Sequence, residues 1–295
     1  MTAAGDVLEL GPGDEGFELA RLGLGAAGVL AAVTLRAVPA FRLEAREEPL
    51  PLDDVLTGLD ELVDGNDHFE FYWFCHTRRA LTKRNNRVPD DLDRPLPPVR
   101  GWVADELLSN AVFGMVNRVA AAAPRTVRGL NVLSAHALGA RTYTAASHDV
   151  FVSPRRVRFR EMEYAVPRAA VRGVLDEIDR WTRAHGAPVP FPVEVRFAAA
   201  DDLWLSTATG RDTAYVAVHQ YWRMPYDAYF DAVERIVAQV DGRPHWGKLH
   251  TLGAGRLAEL YPRMADVRRV RAALDPQGVF ANAYLDRVLG PVTAS

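Results

Sequence analysis

The sequence predicts an α+β protein in which a mixed or antiparallel sheet is flanked by helices. Strand-like and helix-like periods mix along the chain without the strict strand–helix–strand alternation of a parallel sheet. Several stretches alternate polar and apolar residues, residues 41–46 and 157–166 most strongly, as half-solvated strands do. A length of 295 residues suits one large domain or two ordinary ones. A content of 48% hydrophobic and 25% charged residues is that of a globular protein in water.

In chain order, residues 6–10 (Asp-Val-Leu-Glu-Leu) alternate and read as a strand, and residues 14–22 as a short amphipathic helix. Residues 28–38 are apolar and end in the β-branched run Val-Thr-Leu-Arg-Ala-Val, which reads as another strand. Residues 52–63 have helical spacing, capped by Asp53 or Asp54. Strands follow at 68–74 and 79–85, and the charges of Lys83 to Arg87 read as a solvated face. The Pro- and Asp-rich residues 88–99 make a loop. Helices are expected over 102–123 and 126–138. Within 157–166, Arg158, Arg160 and Glu161 stand against Phe159, Met162 and Tyr164. A helix over 168–184 carries Leu175, Ile178 and Trp181 on one side. Strands at 193–197 and 213–219 and helices at 226–240 and 264–274 complete the pattern.

The bulk numbers exclude several classes. A net charge of −3 gives no reason to expect nucleic acid or an anionic membrane as partner. The single cysteine, Cys75, rules out an internal disulfide, suits a reducing cytoplasm and reads as a small hydrophobe beside Trp73 and Phe74. The longest apolar run, residues 22–35, is too short to span a bilayer, which takes about 20 residues. Acidic rather than basic residues precede it, so it is no signal peptide. The expected location is the cytoplasm, at most peripheral to a membrane.

Four motifs are candidates for chemistry. Gly23-Leu24-Gly25-Ala26-Ala27-Gly28 matches G-x-G-x-x-G, with Glu48 downstream, but helix precedes it and strand follows, the reverse of a dinucleotide site. A tight turn that admits a ligand or another strand is the better reading. In the strand Pro192-Val193-Glu194-Val195-Arg196-Phe197, Glu194 and Arg196 share a face. They read either as a solvent-facing ion pair or as a floor bearing one acid and one guanidinium. In the strand ending His219-Gln220-Tyr221, His219 and Tyr221 share a face opposite Val218 and Gln220. Finally, His245-Trp246-Gly247-Lys248 sets an imidazole, an indole and an ammonium around a glycine. Such groups serve an alcohol-activating base as well as a plain loop. His245 and His250 lack a carboxylate or Cys to complete a metal site.

The His-Trp-Gly-Lys motif and the tail Asp275-Pro-Gln-Gly-Val-Phe-Ala-Asn-Ala-Tyr-Leu-Asp-Arg287 resemble the end of the aldonolactone and alditol oxidases, flavoenzymes of the vanillyl-alcohol-oxidase superfamily. Residues 66–74, 82–87 and 159–164 look familiar from the same family without carrying chemistry, and the likeness runs from about Gly25 to Gly290. It implies FAD as cofactor and two-electron oxidation of a sugar lactone or polyol, with oxygen or another acceptor reoxidising the flavin. Glu194 and Arg196 would hold substrate hydroxyls, and His219 and Tyr221 would lend polar groups to the cavity. Lys248 would point at the oxygen being oxidised and, with His219, take or stabilise its proton. Arg196 and Lys248 would stabilise developing negative charge. His245 would lie against the flavin, and the backbone of Gly28 and Val29 would touch it.

The resemblance also divides the chain. Residues 1–40 and 245–295 would be remnants of a PCMH-type FAD-binding domain, and 41–244 the cap or substrate domain. The family's pyrophosphate loop lies before the point where this chain starts. The expectation is therefore a fragment, a misassigned start or a degenerate relative, with apolar surface exposed where the missing half or another chain would pack. A second hypothesis is a non-catalytic sugar-binding or assembly module that lacks flavin. A third, NAD-dependent reduction, fails on strand order.

Overall fold

The computed structural model describes residues 1–97, 110–152 and 155–292. Its strands are β1 (Arg42–Pro51), β2 (His68–Phe74), β3 (Arg79–Val88), β4 (Arg141–Ala146), β5 (Phe159–Pro167), β6 (Pro192–Ala198), β7 (Thr213–Tyr221) and β8 (Arg243–Pro244). They hydrogen-bond into one sheet of order β4-β1-β3-β2-β6-β7-β5-β8, with every neighbouring pair antiparallel. Strand parity gives the sheet two chemically different faces.

One face is apolar. Phe71 and Trp73 of β2, Val193 and Val195 of β6, Val216 and Val218 of β7, and Met162 and Tyr164 of β5 form the main core. Helices α7 (Val171–His185) and α8 (Asp227–Ala238) lie in the same core. In α7 the buried Val171, Val174, Leu175 and Ile178 follow helical spacing, and each large apolar side chain so buried contributes about 1.5–3 kcal/mol. The helix stops at Gly186, whose φ of 56° is the left-handed conformation that glycine adopts without strain. The short helices α2 (Leu52–Thr57) and α3 (Leu59–Asp64) join the same core through Leu52, Val55, Leu56 and Leu59.

A second core gathers the ends of the chain. Leu19 of α1 (Phe17–Arg21), Trp204, Leu205 and Trp246 pack with α9 (Ala254–Leu260), α10 (Met264–Leu274) and α11 (Ala283–Leu289). The tail motif has a structural job here. Asp275 is fully buried and accepts hydrogen bonds from the N–H groups of Val279 and Phe280 at 2.7 and 2.8 Å. The side chain of Asn282 accepts from Leu285 N and caps α11.

Several expectations are corrected. Residues 6–10 and 28–38 belong to no strand, and the latter leave Val33 and Leu35 exposed. The helix over 52–63 breaks at Gly58, and neither Asp53 nor Asp54 caps it. Pro51 holds the cap position and both acids sit in the first turn, where they favour the helix dipole. Phe159 shares the face of Glu161, not that of Met162, because side chains alternate singly along β5. Residues 98–99 of the expected loop and 102–109 of the expected helix lie outside the described residues, whereas α4 (Phe113–Ala122) and α5 (Val127–Ala137) are present.

Candidate active site

The sheet face away from α7 and α8 is charged. Its register sets Arg141, Glu47, Lys83, Glu70 and Arg196 opposite one another across β4, β1, β3, β2 and β6. The signs alternate along the whole row. Arg141 Nε lies 2.6 Å from Glu47, Lys83 Nζ lies 4.0 Å from Glu47 and 3.2 Å from Glu70, and Arg196 Nε lies 3.8 Å from Glu70. Lys83 is therefore no part of a solvated face: carboxylates flank it on two strands, and their attraction outweighs the burial that would lower the ammonium's pKa.

Glu194 and Arg196 stand together, as strand parity requires. Arg196 Nε donates to Glu194 Oε1 at 2.7 Å, and the Tyr72 hydroxyl donates to the same oxygen at 3.0 Å. Arg155 reaches Oε2 at 3.4 Å. Glu194 is only 2% exposed. Burial pushes its carboxyl up, but Arg196, Arg155, His219 and the Tyr72 bond together bring it below the usual carboxylate value.

A second charged group lies two strands away. The register runs Glu194, Ala217, Glu163 across β6, β7 and β5, so only a methyl group stands between the two acids, which are roughly 10 Å apart at the backbone. Lys248 Nζ donates to Glu163 at 2.6 Å and to Glu161 at 2.7 Å. His219 Nε2 lies 3.1 Å from the same Glu161 oxygen, while Nδ1 faces the Pro192 carbonyl at 3.2 Å. Burial raises the Glu161 carboxyl, but the hydrogen bonds and charges of His219 and Lys248 prevail and hold it down at about 2. The ammonium of Lys248 is thus clamped between two carboxylates and is placed to donate.

The remaining candidates fall elsewhere. His245 is exposed next to this group, with its Nδ1 accepting from Gly247 N at 3.1 Å. Trp246 is buried and donates to Leu205 O, anchoring the loop that carries Lys248. Tyr221 shares the His219 face but packs beside Phe191 and Met224 at the end of the sheet. Gly28 and Val29 lie far along the chain against its first residue: Val29 N donates to Met1 O, and a Cβ on Gly28 would meet that oxygen at 2.5 Å.

An open cavity of about 580 Å³ adjoins the Glu194–Arg196 pair on the β2 and β3 side, walled by Val150 and Phe151 of the short helix α6 (Ser147–Phe151). It does not include Lys248 or His219. Sequence reasoning missed Glu161, Glu163 and Tyr72. The signal available was the spacing of Glu161 and Glu163, two acids on one face of an alternating strand whose other face is apolar.

A family model described as D-arabinono-1,4-lactone oxidase matches residues 33–288. An L-gulono-1,4-lactone dehydrogenase from Mycobacterium tuberculosis is 43% identical over 99% of this chain and 67% of its own length. An alditol oxidase from a Streptomyces species is 31% identical over 98% of this chain and 66% of its own length. Among solved structures, a cholesterol oxidase from B. sterolicum superposes with a TM-score of 0.65 at 17% identity, covering 85% of this chain and 60% of that one. The chain thus spans about two thirds of the relatives that it matches.

Proposed function

The chain belongs to the D-arabinono-1,4-lactone oxidase family, and on that premise we propose that it binds a sugar lactone or polyol and serves its FAD-linked oxidation at a carbinol carbon. The observation that carries this reading is the pair of charged groups on one sheet face, Glu194–Arg196 and Lys248–Glu163–Glu161, separated by the methyl of Ala217. Arg196 and Glu194 hold substrate hydroxyls, one as donor and one as acceptor. Lys248, clamped between its two carboxylates, donates to the oxygen of the reacting carbinol and stabilises the negative charge that grows there. Glu161 and His219 keep the lysine in place. Burial of Glu194 and Glu163 strengthens these interactions relative to water.

The described residues fit one part of the cofactor. His245 and Leu249 are exposed beside Lys248 and suit the edge of an isoalloxazine ring. Of the backbone expected to touch the flavin, Val29 N is already bonded to the Met1 oxygen. When bound, FAD supplies the acceptor for the carbinol hydride.

The visible absorption spectrum of the purified chain, followed by anaerobic addition of L-gulono-1,4-lactone, tests the proposal. A flavin band that bleaches supports it. A colourless chain that still binds the lactone favours a sugar-binding module without redox chemistry. A chain that binds neither would sink the proposal.

A further inference from the structure

Helices α4 and α5, joined by the short 3₁₀ turn Pro124–Thr126, carry their polarity the wrong way round. A surface helix ordinarily buries its apolar stripe and shows polar residues to water. Here each helix buries an asparagine: Asn117 and Asn131 have no exposed surface. Asn131 Nδ2 donates to Cys75 O at 3.0 Å and to Val189 O at 2.8 Å, which ties α5 to the chain just after β2 and just before β6. Water meets instead Met115 and Val119 on α4 and Val132 and Leu133 on α5, with Met115 63% and Leu133 66% exposed. Met115 and Val119 are four residues apart and share one face of their helix.

The charge on this hairpin is as one-sided. Between Glu106 and Asp149 the sequence holds no Asp or Glu, but it holds Arg118, Arg125, Arg128 and Arg141. The net charge of −3 conceals this, since the rest of the chain is more acidic still. Arg141 is held by Glu47. Arg118, Arg125 and Arg128 are exposed and make no hydrogen bond or ion pair among the described residues. Arginines elsewhere on the surface have acids beside them, as Arg180 has Glu177 and Arg269 has Asp266. Apolar side chains standing in water among unpaired arginines, with no carboxylate to repel an anion, are what an interfacial helix offers a lipid surface. Arg118 adjoins Val119, and Arg128 lies one turn before Val132. Their stems can therefore reach headgroup phosphates while the apolar residues sit deeper.

We propose that the α4–α5 hairpin docks this protein on an anionic lipid surface, with Met115, Val119, Val132 and Leu133 entering the headgroup layer and Arg118, Arg125 and Arg128 meeting lipid phosphates. No helix among the described residues is long and apolar enough to cross a membrane, so the contact lies in the plane of the interface. Phe113 of α4 packs edge-on against Phe191 with ring centres 4.8 Å apart, and Phe191 stacks on His219 at 5.9 Å. The hairpin therefore docks the end of the sheet that carries His219 toward the bilayer.

The test is flotation of the full chain with two kinds of vesicle, one of phosphatidylcholine alone and one of equal parts phosphatidylcholine and phosphatidylglycerol. Aggregated protein does not float. The parent is expected to float with the anionic vesicles, to stay behind with the neutral ones, and to be released by salt. Arg125→Gln together with Arg128→Gln should weaken anionic binding about 25-fold, each arginine near such a surface being worth about fivefold. Leu133→Ser should weaken it about tenfold. These side chains are exposed, so the variants should melt close to the parent. Should Leu133→Ser fail to fold, Met115→Gln carries the same expectation. Arg180→Gln on α7 is the control and should change nothing. Failure of the parent to float with anionic vesicles, equal binding to neutral ones, or indifference to the hairpin substitutions overturns the proposal. So does a dimer in sedimentation that Leu133→Ser dissociates, because a second copy then covers the stripe.

Discussion

Lys248 and Glu163 are joined by a 2.6 Å hydrogen bond across 85 residues of chain, and Glu161 closes the clamp from the other side at 2.7 Å. Removing the lysine would leave two carboxylates on one strand face with no cation between them. Lys248→Met is therefore expected to destabilise the protein by about 3–5 kcal/mol near neutral pH, as breaking a buried ion pair does. In the flavin-loaded enzyme the same change should lower kcat by about 10²–10³-fold, the loss expected from one charge-stabilising donor. Urea unfolding and steady-state turnover read the two effects separately. A stability unchanged within about 0.5 kcal/mol would contradict the clamp.

The pH dependence follows from Glu161 and His250. The Glu161 carboxyl sits at about 2, below its ordinary 4.5. Its contribution is present above pH 4.5 and is lost as pH falls toward 2. Burial, helped by Arg287, lowers His250 from 6.5 to about 4. The neutral imidazole is the form that the fold accepts, so this contribution is present above pH 6.5 and is lost between 6.5 and 4. Urea midpoints measured from pH 8 to pH 2 should decline in two stages. Glu161→Gln should flatten the lower stage only, and His250→Gln the upper stage only.

Arg196→Lys separates charge from shape. The lysine keeps the positive charge beside Glu194 and Glu70 but cannot present a guanidinium fork. Lactone affinity is expected to fall about tenfold or more, with the melting temperature within a few degrees of the parent. An affinity equal to the parent's would show that the guanidinium geometry is unused.

Trp73 tests the apolar face. It is fully buried, and its indole N–H donates to Thr77 O at 2.9 Å. Trp73→Ala should cost about 3–5 kcal/mol, whereas Trp73→Phe should cost less because most of the ring volume stays. Neither change touches the charged face, so lactone affinity of the folded protein should hold.

Much of the fold was legible because periodicity and burial agree. β2 runs over residues 68–74 and α10 over 264–274, where alternation and helical spacing placed them. Parity alone put Glu194 beside Arg196 and His219 on the face of Tyr221. β4 was overlooked because Arg-Thr-Tyr-Thr-Ala-Ala has few large apolar residues; it is an edge strand that meets only β1. Residues 6–10 alternate like a strand but find no partner among the described residues, and alternation without pairing makes no sheet. The clamp on Lys248 was illegible for another reason. Glu161 and Lys248 meet across 87 residues, and no local period encodes such an approach. Lys83 looked like surface because its partners Glu70 and Glu47 come from two other strands.

The alternating row from Arg141 to Arg196 also bears on how the sheet assembles. A strand that slips by one residue turns its apolar side chains to the wrong face, and burial rejects it. A slip by two keeps every side chain on its own face, so burial alone cannot tell it from the native pairing. Charge can. Sliding β6 by two residues along β2 would bring Glu194 opposite Glu70 in place of Arg196, like against like. The same carboxylates and cations that face the cavity thus proofread the alignment of the strands beneath it. Neutralising them would open near-native misalignments during folding even where the finished protein tolerates the loss.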